Sequence, residues 1–309
     1  MSEREIVCED LNLAIDDLKR DGFRLDLIYP ADDPRSAVMS RPDETVRVTM
    51  AGAPSLPDRL PEFRPEFVLA RGDATAAAGR AGMLYRDLIP SRLGGRYIAS
   101  HIGIPEGGPV SDWVHYHRVA LQIIFVRAGW VRVVYEGQGE PFVMEPGDLV
   151  LQPPEIRHRV LESSSGLEVV EVTAPAVHAT FADHELALPN REASDGLYSG
   201  QRFLRHIAAE TPWRALGEVE AQDIGLGAAT GGLAEARTIR PLVPATEFAP
   251  HEGELVFGFV LDGSARLERG GSFPLGPADS FVIPPGEGWR LTAMSPDFRL
   301  LHVTTGGLN

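Results

Sequence analysis

Residues 107–162 read GGPVSDWVHYHRVALQIIFVRAGWVRVVYEGQGEPFVMEPGDLVLQPPEIRHRVLE, and this stretch decides the fold. Successive side chains of a β-strand point to opposite faces, so His115 and His117 leave one face about 6.7 Å apart. Gln122 follows on the run 121–126, which is too apolar and β-branched for a surface loop. Gly129 ends that run as a turn, residues 131–135 read as a second strand, Gly147 as another turn and residues 149–152 as a third strand. His158 opens the next strand after the turn at Pro153-Pro154. Three imidazoles and one amide oxygen converge only if these short strands fold back on one another, as in a small antiparallel barrel.

Working outward, the same order returns from residue 216 onward. Pro250-His251-Glu252, an apolar run at 255–261, Gly263, residues 265–268, Gly276 and the segment FVIPPG at 281–286 repeat the first pattern. Aligning Gly263 with Gly129 and Pro284-Pro285 with Pro153-Pro154 puts Ala249 at the place of His115 and His251 at that of His117. Val256 then stands for Gln122 and Trp289 for His158. One imidazole does not hold a divalent metal against water, so the second copy is expected to be a structural barrel.

The spacing His-x-His, four residues, Gln, six residues, Gly resembles the first motif of the cupin family, with Gln122 for the usual glutamate. Gly147, five residues, Pro153, then His158 resembles the second, with Glu155 where glycine is common and Glu162 where asparagine is common. The resemblance implies a mainly β protein of two cupin (double-stranded β-helix, jelly-roll) barrels, a bicupin with one metal-competent barrel. It implies His115, His117, Gln122 and His158 as ligands of one divalent transition metal, iron first, with zinc, nickel, manganese or copper as alternatives.

Ahead of the barrels, residues 1–52 read as a βαβββ unit. A strand at 4–8 precedes a helix at 11–19 capped by Asp10, and alternating runs follow at 23–29, 36–40 and 45–50. The unit resembles one vicinal oxygen chelate (glyoxalase-like) module. It lacks that family's His/Glu ligand set and is expected to serve pairing or dimerisation. Residues 53–90 read as a proline-punctuated linker and lead-in segment, 91–180 as the first barrel, 181–215 as a connector and 216–309 as the degenerate barrel. In the strand at 96–104, His101 reads as structural or as a neighbour of the metal site. His178 and His184, with no strand pattern around them, read as surface histidines.

Composition narrows the chemistry. The net charge of −15 argues against nucleic acid and anionic membranes as partners, and no apolar run reaches membrane-spanning length. Cys8 is the only cysteine, which excludes intrachain disulfides and thiolate clusters and makes a reducing, cytoplasmic setting the expectation. Lys19 is the only lysine and lies on a polar helix, so Schiff-base chemistry has no candidate. No glycine-rich phosphate loop is present.

Three imidazoles and an amide suit several metals. Gln122 in place of a carboxylate leaves more of the metal's charge unneutralised, and four protein donors of six leave two positions for substrate or O₂. Glu162, four residues after His158, reads by period two as a candidate base on its face, and Arg132 as a candidate clamp for a substrate carboxylate. A mononuclear dioxygenase on a small aromatic or enolic acid is the first functional expectation, since gentisate-type dioxygenases share the one-competent-barrel layout. A non-redox lyase or isomerase on a sugar-acid or keto-enol compound is the second, because a pectin-degrading cupin uses the same His, His, Gln, His set. A non-catalytic bicupin that binds a small ligand is the third. The expected partner is a small, anionic substrate, and unpaired sheet edges point to a homodimer.

Overall fold

A computed structural model describes residues 3–78, 82–190 and 196–308. Two jelly-roll barrels, each made of two facing sheets, follow a small α+β unit. One sheet of the first barrel runs Thr180–Ala182, His115–His117, His158–Ser163, Val131–Tyr135, Phe142–Met144 in spatial order. The sheet facing it runs Leu204–His206, Leu149–Leu151, Leu121–Ala128, Leu167–Ala174, Ile98–Ile104, Leu84–Asp87, Ala77–Ala78. In the second barrel a sheet centred on Leu255–Asp262 and Arg299–Thr305 faces one of four strands, Thr246–Phe248, Trp289–Thr292, Ala265–Glu268 and Ser272–Leu275.

Strands Leu121–Ala128 and Leu255–Asp262 are apolar on both sides because both sides are buried. Leu121, Ile123 and Phe125 point out of their barrel and meet Leu255, Phe257 and Phe259 of the other in one continuous core. The intervening residues, Gln122 and Ile124, point into the first barrel. Polar groups at this junction are paired: Arg96 Nε and the Tyr97 hydroxyl both donate to Glu254, each at 2.9 Å. The same alternation settles the strand Ile98–Ile104. Ile98, Ser100 and Ile102 face the barrel interior, and His101 faces the junction between Arg86 and Glu168.

The repeat holds to single residues. Gly129 and Gly263 both take a left-handed turn, with φ of 72° and 69°. Ser164 Oγ accepts from Trp130 N at 2.9 Å, and Ser295 Oγ accepts from Ser264 N at 2.9 Å. A Cβ on Gly129 would lie 2.9 Å from Leu167 Cα, so the turn excludes a side chain there.

Segments expected to be connectors add strands to the barrels. Val68–Ala70, in the linker and lead-in segment, pairs with Ser280–Ile283 of the second barrel. Leu204–His206, after the first barrel, pairs back with Leu149–Leu151. Residues 79–81 and 191–195 of these segments lie outside the described residues.

The N-terminal unit has the βαβββ order. Asp10 Oδ1 accepts from Leu13 N at 3.1 Å, capping a helix, Leu11–Arg20, that lays Leu11, Ile15 and Leu18 on the core of the unit. Its strand Arg24–Tyr29 pairs with Thr180–Ala182, which pairs in turn with His115–His117. The unit therefore extends the sheet that carries His115, His117 and His158. Among the described residues no helix is long and apolar enough to cross a membrane.

Candidate metal centre and its cavity

His115 and His158 stand opposite each other on paired strands, with ring centroids 4.2 Å apart, and His117 lies 5.3 Å from both. All three are buried, and one ligand atom from each lies within 4.8 Å of the others. Each ring is held by a backbone carbonyl through Nδ1: His115 by Trp113 O at 2.8 Å, His117 by Ala179 O at 3.2 Å, His158 by Ile156 O at 3.0 Å. A carbonyl only accepts, so Nδ1 carries the proton and the Nε2 lone pair of each ring is left for a ligand. Burial, and then the neighbouring His115, His158 and His178, hold the His117 pKa well below its ordinary value. The imidazole is thus kept in its metal-binding, neutral form.

Gln122 is oriented by a carboxylate the sequence reading did not single out. Its Nε2 donates to Glu171 Oε1 at 2.8 Å, and Thr173 Oγ1 donates to the same oxygen at 2.9 Å. That leaves Gln122 Oε1 buried with no partner in the protein. An orphaned buried carbonyl is costly unless a ligand satisfies it. Three inward lone pairs and one orphaned oxygen fit a divalent transition metal.

These groups open into a cavity of about 180 Å³. Ile102, Ile104, Val131, Val133, Met144 and Val169 form much of its wall, and among the described lining residues there is no Lys or Arg. The cavity therefore offers a carboxylate no cationic side chain among those residues.

Several expectations change here. Arg132 and Glu162 form an ion pair at 2.9 Å, both partly exposed, and neither lines the cavity. Strand His158–Ser163 pairs Val160 with Val133 but Glu162 with Arg132, so Leu161 is an extra residue in a bulge. The bulge reverses the alternation after Val160 and turns Glu162 to the outside, away from His158. Nor is His178 a surface residue: it is 4% exposed, lines the cavity and meets His117 edge-on at 5.5 Å. The strand Thr180–Ala182 beside it is only three residues long, too short to show an alternation in the sequence. His184 does lie exposed, on Leu25 O. Asp32, from the N-terminal unit, also lines the cavity. A sequence signal for Glu171 exists, since it is the one charged residue on the face it shares with Leu167 and Val169. Asp32 carries none, because only tertiary docking brings it there.

In the second barrel the place of His158 is taken by Trp289, and the residue in register with it is Phe248, not Ala249. The segment from Phe248 to His251 is one residue longer than that from His115 to His117. Its far end still matches: Gly286 N donates to His251 O at 2.8 Å as Glu155 N donates to His117 O at 2.9 Å. Phe248 stacks on Trp289 at 3.8 Å, and Phe281 packs edge-on against the same indole. His302, half-buried and in the register of Glu171, has its pKa pushed down to about 3 by desolvation, then by Arg237 and His251. Aromatic packing fills the space that the first barrel leaves open.

Comparison with known proteins agrees with this architecture. A cupin domain model matches residues 100–173. No curated protein sequence is significantly similar to the chain. Among solved structures, the Ylba protein of E. coli shares 11% identity at a TM-score of 0.57, covering 80% of this chain and 94% of its own. A mutant salicylate 1,2-dioxygenase of Pseudoaminobacter salicylatoxidans, in complex with gentisate, shares 18% at a TM-score of 0.57, covering 80% and 84%. The oxalate decarboxylase of Bacillus subtilis shares 11% at 0.52, covering 74% and 72%. Identities this low carry the fold and not the activity.

Proposed function

We propose that the first barrel holds one divalent transition metal through His115, His117, His158 and Gln122, and that the protein is a metal-dependent enzyme acting on a small aromatic or enolic acid, as a mononuclear dioxygenase. The observation that carries this is the donor set itself, three carbonyl-anchored imidazoles and the orphaned Gln122 oxygen, at the end of an apolar cavity. When bound, the metal supplies Lewis acidity and, for iron, nickel, copper or manganese, a partner for O₂. The protein supplies the rest. The histidines and Gln122 hold the ion, the aliphatic wall excludes water and takes a ring or an enolic body, and the absence of any ionised ligand leaves the ion's pull on substrate oxygen strong. A dioxygenase complexed with gentisate is among the proteins of similar fold.

Glu171 favours a second reading. A carboxylate in the cavity, 2.8 Å from the Gln122 amide, could accept a proton from a coordinated keto-enol substrate, as a non-redox isomerase or lyase requires.

Metal analysis of protein from its native host, followed by O₂ uptake with a panel of aromatic and enolic acids, tests both. About one metal per chain is expected, lost in His117→Ala and His158→Ala; full occupancy in both variants sinks the ligand set. Zinc with turnover that ignores O₂ selects the second reading.

A further inference from the structure

We propose that Asp32 and His178 form a recognition corner of the cavity that binds a hydrogen-bond donor of the substrate, a hydroxyl or amino group on an otherwise apolar body. This deepens the metal-enzyme reading above and rests on it.

Asp32 comes from the turn between strands Arg24–Tyr29 and Ser36–Arg41. Arg92 Nη2 donates to its Oδ2 at 2.8 Å, which anchors the carboxylate, and its Oδ1 is buried without a partner. His178 Nδ1 donates to Pro175 O at 3.1 Å, so its Nε2 presents a lone pair, and that atom too is buried without a partner. Both residues line the cavity, and neither belongs to the converging group of three histidines. They are brought together by the docking of the N-terminal unit: Ala31 N donates to His178 O at 3.1 Å, and Ile28 pairs with Thr180.

Both open atoms are acceptors. A buried acceptor left unmatched costs more than the bond it would make, so the corner favours an occupant that donates. A second carboxylate or a phosphate would meet a carboxylate oxygen and a lone pair with no Lys or Arg among the described lining residues to offset them. The division of labour follows: a chelating head on the metal, an apolar body along the aliphatic wall, and one donor in the corner. A site built to bond a hydroxyl rejects the analogue that lacks it far better than an apolar pocket rejects an extra methyl.

The test is calorimetric titration of the zinc-loaded full-length protein with 2-hydroxybenzoate, its 2,3-, 2,4-, 2,5- and 2,6-dihydroxy relatives, and the matching methyl-substituted acids as size controls. At least one dihydroxy isomer is expected to bind about tenfold or more tightly than both 2-hydroxybenzoate and its own methyl control. In Asp32→Leu and in His178→Phe, which keeps a ring against His117, that advantage, taken against 2-hydroxybenzoate on the same variant, should fall below about threefold at equal zinc content. No gain for any isomer, or a gain kept in both variants, overturns the inference. Failure to take up stoichiometric zinc shows separately and overturns the metal reading and the corner with it.

Discussion

Each imidazole of the centre is aimed by a carbonyl, and the amide by a carboxylate. Removing an outer partner of this kind typically weakens a metal site 10–100-fold. Glu171→Ala, which lets the Gln122 amide turn, should lower metal affinity by about that factor in competition with a chelator while the fold persists. A second expectation concerns acid. In the unfolded chain His302 titrates near 6.5, and in the folded barrel its pKa is about 3. The unfolded state therefore takes up the proton first as pH falls, so stability is complete above about 6.5 and drains away down to about 3. His302→Leu should flatten the fall in urea midpoint between pH 7 and pH 4.5; an unchanged slope would place the acid sensitivity elsewhere. At this scale the sequence disclosed what lies at fixed spacing within one motif. His115, His117, Gln122 and His158 sit between turn glycines and a proline pair that fix the count. Glu171, His178 and Asp32 are set by strand parity and docking, for which the local pattern offers one hint at Glu171 and none at Asp32.

At the scale of elements, a single residue more or less decides which side chains meet. Leu161 in its bulge sends Glu162 outward, and the longer segment between Phe248 and His251 brings a phenylalanine opposite Trp289. Long strands were readable because both sides of each are buried and apolar. Bulges were not, since a bulge changes parity without changing composition. The second barrel closes because Gly258 leaves room for the Phe281 ring, where the first barrel has Ile124 opposite Val150. A Cβ on Gly258 would lie 2.3 Å from that ring. Gly258→Val should therefore cost on the order of 1–3 kcal/mol by overpacking, read as a lower urea midpoint, without loss of metal from the first barrel.

Across the whole molecule, the N-terminal unit is part of the sheet that carries the three clustered histidines. Deleting residues 3–50 would bare the edge of Thr180–Ala182 and remove Asp32 and the Ala31 bond to His178. Lower Tm and concentration-dependent light scattering are expected, because an open strand edge invites pairing with another chain. Unchanged Tm and a monodisperse sample would mean the unit is only attached. The two barrels were legible as a repeat, but their shared core was not, since back-to-back packing leaves no mark beyond strands that are apolar on both sides. The exchanged strands carry a further consequence. Val68–Ala70 precedes the first barrel in the chain yet completes the second, and Leu204–His206 lies beyond the first barrel yet completes it. A gene cut anywhere between those two segments leaves each barrel's border strand in the wrong fragment. The halves are therefore not self-contained cassettes, and neither barrel separates from the other without losing a strand.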